Sequence, residues 1–119
     1  MTGVTDVKRK TIPKSVRLKV HAKYNGHCAY CGCELEYKHM QVDHVVSKYW
    51  HDGADDISNY MPACRQCNFY KSSMTIDKFR EQLSTLTDRL KKVFIFNLAV
   101  KYGLIEIHDK PVRFYYEDM

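Results

Sequence analysis

Two cysteine pairs, Cys28-Ala29-Tyr30-Cys31 and Cys64-Arg65-Gln66-Cys67, bracket Val42-Asp43-His44 and Asn59, and Asn68 and Lys71 follow directly behind the second pair. The fold is decided in this stretch, 28 to 71. Thirty-two residues separate Cys31 from Cys64, enough for a small hairpin. Two matched C-x-x-C pairs supply the four thiolates that a tetrahedral structural Zn²⁺ takes. Cys33 has no partner of its own and His27 is a second spare beside Cys28. Both are expected to stand outside a ligand set of Cys28, Cys31, Cys64 and Cys67.

On the N-terminal side, Lys8, Arg9, Lys10, Lys14, Arg17, Lys19 and Lys23 form a basic arm. Pro13, Val16, Val20 and Gly26 predict a helix over 13–25, with Pro13 in its first turn and Gly26 in a left-handed conformation at its end. Its cations read either as a solvated face or as phosphate contacts, Arg17 among them. Inside the stretch, Cys28 to Cys33 forms a tight knuckle at Gly32. Met40 to Val46 alternates as one strand, and Asn59 to Ala63 returns beside it with Pro62 at an edge. That pairing brings Asn59 to the Asp43-His44 end. The loop between holds Lys48, Tyr49 and Trp50, whose ring either covers the core or lies against nucleic acid, and Asp55-Asp56, read as turn caps.

A helix starts at Arg65. At about 100° per residue, Cys67 and Asn68 diverge while Asn68 and Lys71 share a face, so a metal clamp and a reactive site fit on opposite sides of one short helix. Ile76, Phe79, Leu83, Leu86, Leu90 and Val93 predict a long amphipathic helical region over 75–102, capped by Thr75 and serving as core. Leu104 to Ile107 and Val112 to Tyr116 predict a closing hairpin over 104–116, its Tyr115-Tyr116 pair packed inward.

The chain has 119 residues, 45% of them hydrophobic, without repeats or low-complexity tracts. That composition predicts one α+β domain over 1–119, small enough that a structural metal contributes to stability. Met1 to Lys10 lacks the apolar core of a signal peptide and the run near Val93 to Val100 is too short to span a bilayer, so a cytoplasmic protein without membrane attachment is expected. In that reducing setting C-x-x-C pairs bind metal, and no βαβ pattern supports a thioredoxin-like redox role. A net charge of +5 favours a polyanionic partner.

The order Cys28-x-x-Cys31, Val42-Asp43-His44, Asn59, Cys64-x-x-Cys67-Asn68-x-x-Lys71 resembles the HNH nucleases, in the branch with a zinc-binding cysteine clamp. It departs from many members in carrying Asn68 where they have a last histidine. The resemblance implies a ββα-metal motif in a treble-clef-like zinc module, decorated by the N-terminal helix, the helical region and the terminal hairpin. It also implies an endonuclease acting on DNA ahead of RNA, with His44, Asn59, Asp43 and Asn68 catalytic. Asn59 would hold the hairpin loop and orient His44. Asp43 and Asn68 would hold one Mg²⁺ or Mn²⁺, the asparagine oxygen suiting a hard cation.

The residue chemistry points the same way. Phosphodiester hydrolysis needs an activated water, a cation for the developing charge and a stabilised leaving oxygen. Histidine can take a proton from water near neutral pH. Lys71, Arg65, Lys48 and Arg17 are candidate phosphate contacts, a salt bridge being the alternative for Lys71 and Arg65. A zinc-stabilised module that grips nucleic acid or protein without cutting explains the cysteines and the charge, but not Asp43-His44 with Asn59 and Asn68.

Overall fold

A computed structural model describes residues 11–47 and 53–119. Its order is α1 (Lys14–Ala22), β1 (Gln41–His44), β2 (Tyr60–Ala63), α2 (Arg65–Lys71), α3 (Ile76–Ser84), α4 (Leu86–Leu90) and α5 (Phe94–Lys101). This is the mixed helix and small antiparallel sheet that the stretch 28 to 71 predicts.

β1 and β2 pair antiparallel with Gln41 opposite Ala63, Val42 opposite Pro62, Asp43 opposite Met61 and His44 opposite Tyr60. Pro62 costs this two-stranded ribbon no buried donor, and its carbonyl accepts from Ala29 N at 2.8 Å. That bond lays the first knuckle against β2. The knuckle closes on itself through Cys28 N to Cys33 O (2.9 Å) and Gly32 N to Cys28 O (3.0 Å). Gly32 sits at φ +80°, where a Cβ would also come within 2.7 Å of the Tyr115 ring. Only glycine allows that approach without strain.

α1 begins one residue later than predicted, with Pro13 as its cap, and its α-helical turns end at Ala22. The remaining turns to Gly26 place Asn25 and Gly26 at positive φ, and Gly26 N returns to His21 O at 3.0 Å. Val20 alone is buried on α1, packed with Leu35, Met40 and Tyr60. A second cluster joins Cys28, Ala29, Tyr30, Met61, Ala63, Phe79 and Phe114. Phe79 and Phe114 stack at 5.2 Å, and Tyr30 meets both edge-on at 5.3 and 5.4 Å.

Two predicted elements differ. The helical region breaks into α3, α4 and α5 because Thr85 turns its hydroxyl onto Gln82 O (2.9 Å) and Val93 takes an extended conformation before α5. Thr75 does cap α3, accepting from Lys78 N at 3.1 Å. Only Phe79 of the periodic set is buried, whereas Leu86, Leu90 and Val93 are exposed, so the core role stops at α3. The hairpin over 104–116 does not form among the described residues. The backbone there finds other partners: Tyr115 N donates to Tyr30 O and Tyr116 N to Ala29 O, docking the tail on the knuckle. Burial of Phe114 and the Arg80 to Glu117 ion pair (2.6 Å), with Arg80 over the Phe114 ring, fix it there.

Phe114→Ala should therefore lower stability by about 3–5 kcal/mol, as for other buried aromatics cut to alanine. Denaturant unfolding of the metal-loaded protein measures it. A loss under about 1 kcal/mol would show that the tail does not brace the knuckle.

Candidate active site and metal cluster

The two knuckles bring Cys28, Cys31, Cys64 and Cys67 together, all four sulfurs lying within 4.8 Å of one another. Cys31 and Cys64 are 3.8 Å apart, the edge of a tetrahedron with sulfurs at about 2.3 Å from a Zn²⁺ being about 3.8 Å. Cys64 caps α2, its sulfur accepting from Cys67 N at 3.5 Å, and Cys28 Sγ accepts from Cys64 N at 3.3 Å. A hydrogen bond from Cys67 holds the Cys28 thiol down at about 4. The same bond drives Cys67 up, and burial pushes Cys31 up to about 12. Sulfurs this close cannot all ionise by themselves, and a bound dication removes that repulsion. The donor set thus fits Zn²⁺. Cys33 is exposed outside the set, and His27 bonds Asn25 O (3.0 Å) while stacking on Tyr115.

β1 alternates its side chains. Gln41 and Asp43 face α2, and His44 turns to the opposite side at the strand end. Asp43 is 5% exposed and its Oδ2 takes two donors, Tyr30 Oη at 2.5 Å and Lys71 Nζ at 3.0 Å. Burial raises the Asp43 carboxyl above its ordinary range, with the Lys71 ammonium and the Tyr30 hydroxyl opposing. Tyr30 is itself raised by burial and by the Asp43 charge, so it stays a donor. Lys71 Nζ also donates to His44 O at 3.2 Å, tying the end of β1 to α2. One turn back on the same helix face, Asn68 Nδ2 donates to Gln41 Oε1 at 2.6 Å. Among the described residues, Asp43 Oδ1 and Asn68 Oδ1 are the oxygens left on these facing surfaces, and both are donors of the kind a hard cation takes.

Asn59 is buried and closes the loop after β1. Its Nδ2 donates to Val46 O (2.9 Å) and Ala54 O (2.8 Å), and its Oδ1 accepts from Val46 N at 2.9 Å. His44 Nε2 lies 3.1 Å from Asp55 Oδ1, and Tyr60 Oη donates to that same oxygen at 2.7 Å. The Tyr60 ring stands edge-on to His44 at 5.1 Å.

Residues 28–73 match the family profile of the HNH endonucleases. The match covers 46 of the 119 residues. Over 63 residues it is 35% identical to YoqL, an SPbeta prophage-derived protein of Bacillus subtilis (strain 168) named as an HNH endonuclease, the match covering 47% of this chain and 27% of that one. It also resembles the crystal structure of the Type II-C Cas9 enzyme from Actinomyces naeslundii, at 26% identity and a TM-score of 0.54, over 64% of this chain and 8% of that chain. The chain thus spans under a third of either relative.

In the matched segment the four cysteines come together as expected, and Asp43, His44, Asn59 and Asn68 gather around the end of β1 and the face of α2. Lys71 is a correction. It has no exposed surface and both its partners are internal, so the salt bridge holds and the phosphate contact does not. Arg17 donates to Met40 O (3.0 Å) and lies over the Tyr37 ring, bracing α1. Arg65 is exposed at the start of α2, beside a shallow groove that Gln41 also lines. Lys48 and Trp50 lie outside the described residues. Asp56 caps a turn by accepting from Ser58 N at 2.9 Å, but Asp55 turns to His44 instead. Sequence reasoning missed Gln41, Tyr30 and Asp55. The two-residue spacing of Gln41 and Asp43 could have put Gln41 on the α2 face. No helix among the described residues is long and apolar enough to cross a membrane.

Cys64→Ser should lose stoichiometric metal, seen by elemental analysis, and unfold at lower denaturant, because it removes one of the four thiolates while leaving a residue that can still cap α2. Lys71→Ala should cost about 3–5 kcal/mol by leaving a buried carboxylate unpaired. Its nucleic-acid affinity, measured under conditions where the variant is folded, should stay at the parental value. A Lys71→Ala protein as stable as the parent but weaker in binding would return this lysine to the surface.

Proposed function

We propose that the chain is a metal-dependent endonuclease that hydrolyses phosphodiester bonds in DNA, folded as one nuclease domain around a structural Zn²⁺. One observation carries this reading. Asp43 and His44 stand side by side at the end of β1 on opposite faces, with Asn68 across from the Asp43 face and the cysteine cluster at the other end of the same helix. A metal-organising side and a base side thereby belong to adjacent residues of one strand.

Asp43 and Asn68 would hold Mg²⁺ or Mn²⁺, which supplies charge stabilisation to the phosphate and the leaving oxygen. His44 accepts the proton of the attacking water. Asn59 keeps the loop behind His44 closed, and Lys71 holds the Asp43 carboxylate and the His44 backbone in fixed relation. Arg65 and the basic charge of the N-terminal segment would supply phosphate contacts and make binding salt-dependent, Arg17 joining them only with what its bracing bond to Met40 O leaves free. Lys48 belongs to this group by its charge. DNA fits the +5 net charge, and four thiolates with a reducing compartment fit a cytoplasmic setting.

A second reading has a specific support. The Lys71 ammonium, 3.0 Å from Asp43, already compensates the carboxylate that a cation would use. A zinc-stabilised module that binds nucleic acid or a protein without turnover would show such a pair.

Cleavage of supercoiled plasmid in Mg²⁺, Mn²⁺ and EDTA decides between them. The parent should cut with the divalent ions and stop in EDTA, while His44→Ala should cut at least about 10²-fold more slowly with its zinc content and its DNA affinity unchanged. Asp43→Ala and Asn68→Ala should fail with it, and Asn68→His should keep activity with a different preferred ion. Equal cutting by His44→Ala, or cutting in EDTA, would remove the mechanism in favour of the binding module.

A further inference from the structure

His44 is an imidazole that must present one particular nitrogen to water, and the ring by itself has no preference strong enough to guarantee it. The structure supplies a candidate constraint eleven residues on. His44 Nε2 and Asp55 Oδ1 are 3.1 Å apart, and each of the two side chains is 23% exposed. A carboxylate oxygen only accepts, so Nε2 carries the proton in this contact. In a neutral ring Nδ1 is then the acceptor.

Asp55 is itself held. Tyr60, on the β2 position opposite His44, donates its hydroxyl to the same Oδ1 at 2.7 Å while its ring packs edge-on against the imidazole. Burial and the Asp55 charge push the Tyr60 hydroxyl up to about 12, so it remains a donor. The loop carrying Asp55 is latched at its base. Asn59 bonds Val46 O and Ala54 O, and Gly53 N donates to Ser47 O at 2.9 Å. At Gly53 a Cβ would fall 1.8 Å from Val46 O, so the chain closes there only because that residue has no side chain. Asp56 next door is turned away onto Ser58.

We infer that Asp55 is the positioning residue of the base: it fixes the Nε2–H tautomer and the ring orientation of His44, leaving Nδ1 directed to the attacking water, with Tyr60 and the Asn59–Gly53 latch holding Asp55 in place. This rests on the reading of His44 as the general base. Asp55 touches neither substrate nor metal in this assignment. Its removal impairs the chemical step and not the binding step.

The test uses the full, zinc-loaded chain. Long-range ¹H–¹⁵N correlations of the His44 ring, assigned against His44→Ala and recorded without DNA or divalent ion at a pH where the ring is neutral, report the tautomer directly. The parent should show Nε2–H. Asp55→Ala should admit the Nδ1–H form, and Asp55→Asn, whose amide oxygen still accepts, should largely keep Nε2–H. In plasmid cleavage Asp55→Ala should lower kcat by about 10- to 100-fold, the range for losing an orienting hydrogen bond, with KM unchanged. Asp55→Asn should recover most of that loss, which a purely structural defect would not allow. The two readings fail separately. A parent that does not cut in Mg²⁺ or Mn²⁺ removes the nuclease function, whatever the tautomer. A parent that cuts, with Asp55→Ala retaining kcat or retaining Nε2–H as the sole tautomer, overturns the assignment of Asp55.

Discussion

Four sulfurs within 4.8 Å of one another are the constraint on which the arrangement depends. They come from two segments more than thirty residues apart, and the hydrophobic clusters on either side of the sheet are small. A dication bonded to all four would join the first knuckle to the start of α2 more tightly than packing can. It would also set the phase of α2. Cys64 caps the helix and Cys67 is its third residue, so a metal held there would fix the direction in which Asn68 and Lys71 project. Such a metal would act on the proposed site through a single turn of helix.

Lys71 passes that geometry on. A buried lysine is costly unless it is paired and hydrogen-bonded, and here it meets a carboxylate and a backbone carbonyl from the two residues proposed for metal binding and proton transfer. Both contacts are short enough to resist sliding of α2 along β1. The pair is therefore better understood as fixing register than as adding stability, since a buried ion pair gains little over a well-packed apolar one.

The sequence made the local parts legible where a residue type has a narrow set of uses. Paired cysteines, an Asp-His at a strand end, Pro62 at an edge and Thr75 as a cap each admit few structures, and each takes the place in the fold that its residue type predicts. What was not legible depends on partners distant in the chain. Lys71 looks the same on paper whether it reaches solvent or Asp43, and only the closeness of β1 to α2 decides. Asp55 and Asp56 are both good turn caps, and the choice of Asp55 for His44 arises from the register that places Tyr60 opposite His44. The tail departs from its predicted hairpin for a related reason. Alternating apolar residues over 104–107 fit a strand, but the amides of Tyr115 and Tyr116 had better acceptors on the knuckle.

The two sides of β1 end up with opposite electrostatics. On the α2 side, Asp43 has one oxygen occupied by a hydroxyl and an ammonium, so a cation there would see one carboxylate oxygen, one amide oxygen and a nearby positive charge. Ions such as Mg²⁺ keep most of their water and are commonly completed by substrate phosphate when protein carboxylates are few. In the proposed reading, then, the negative charge missing from the protein is the charge the substrate brings. On the other side the Asp55 carboxylate lies at the imidazole edge, where a positive charge would develop if His44 takes the proton of water as proposed. In that reading the ammonium stands where phosphate charge would offset it and the carboxylate where the imidazolium would form, so each face would suit the substrate-bound state more than the free protein.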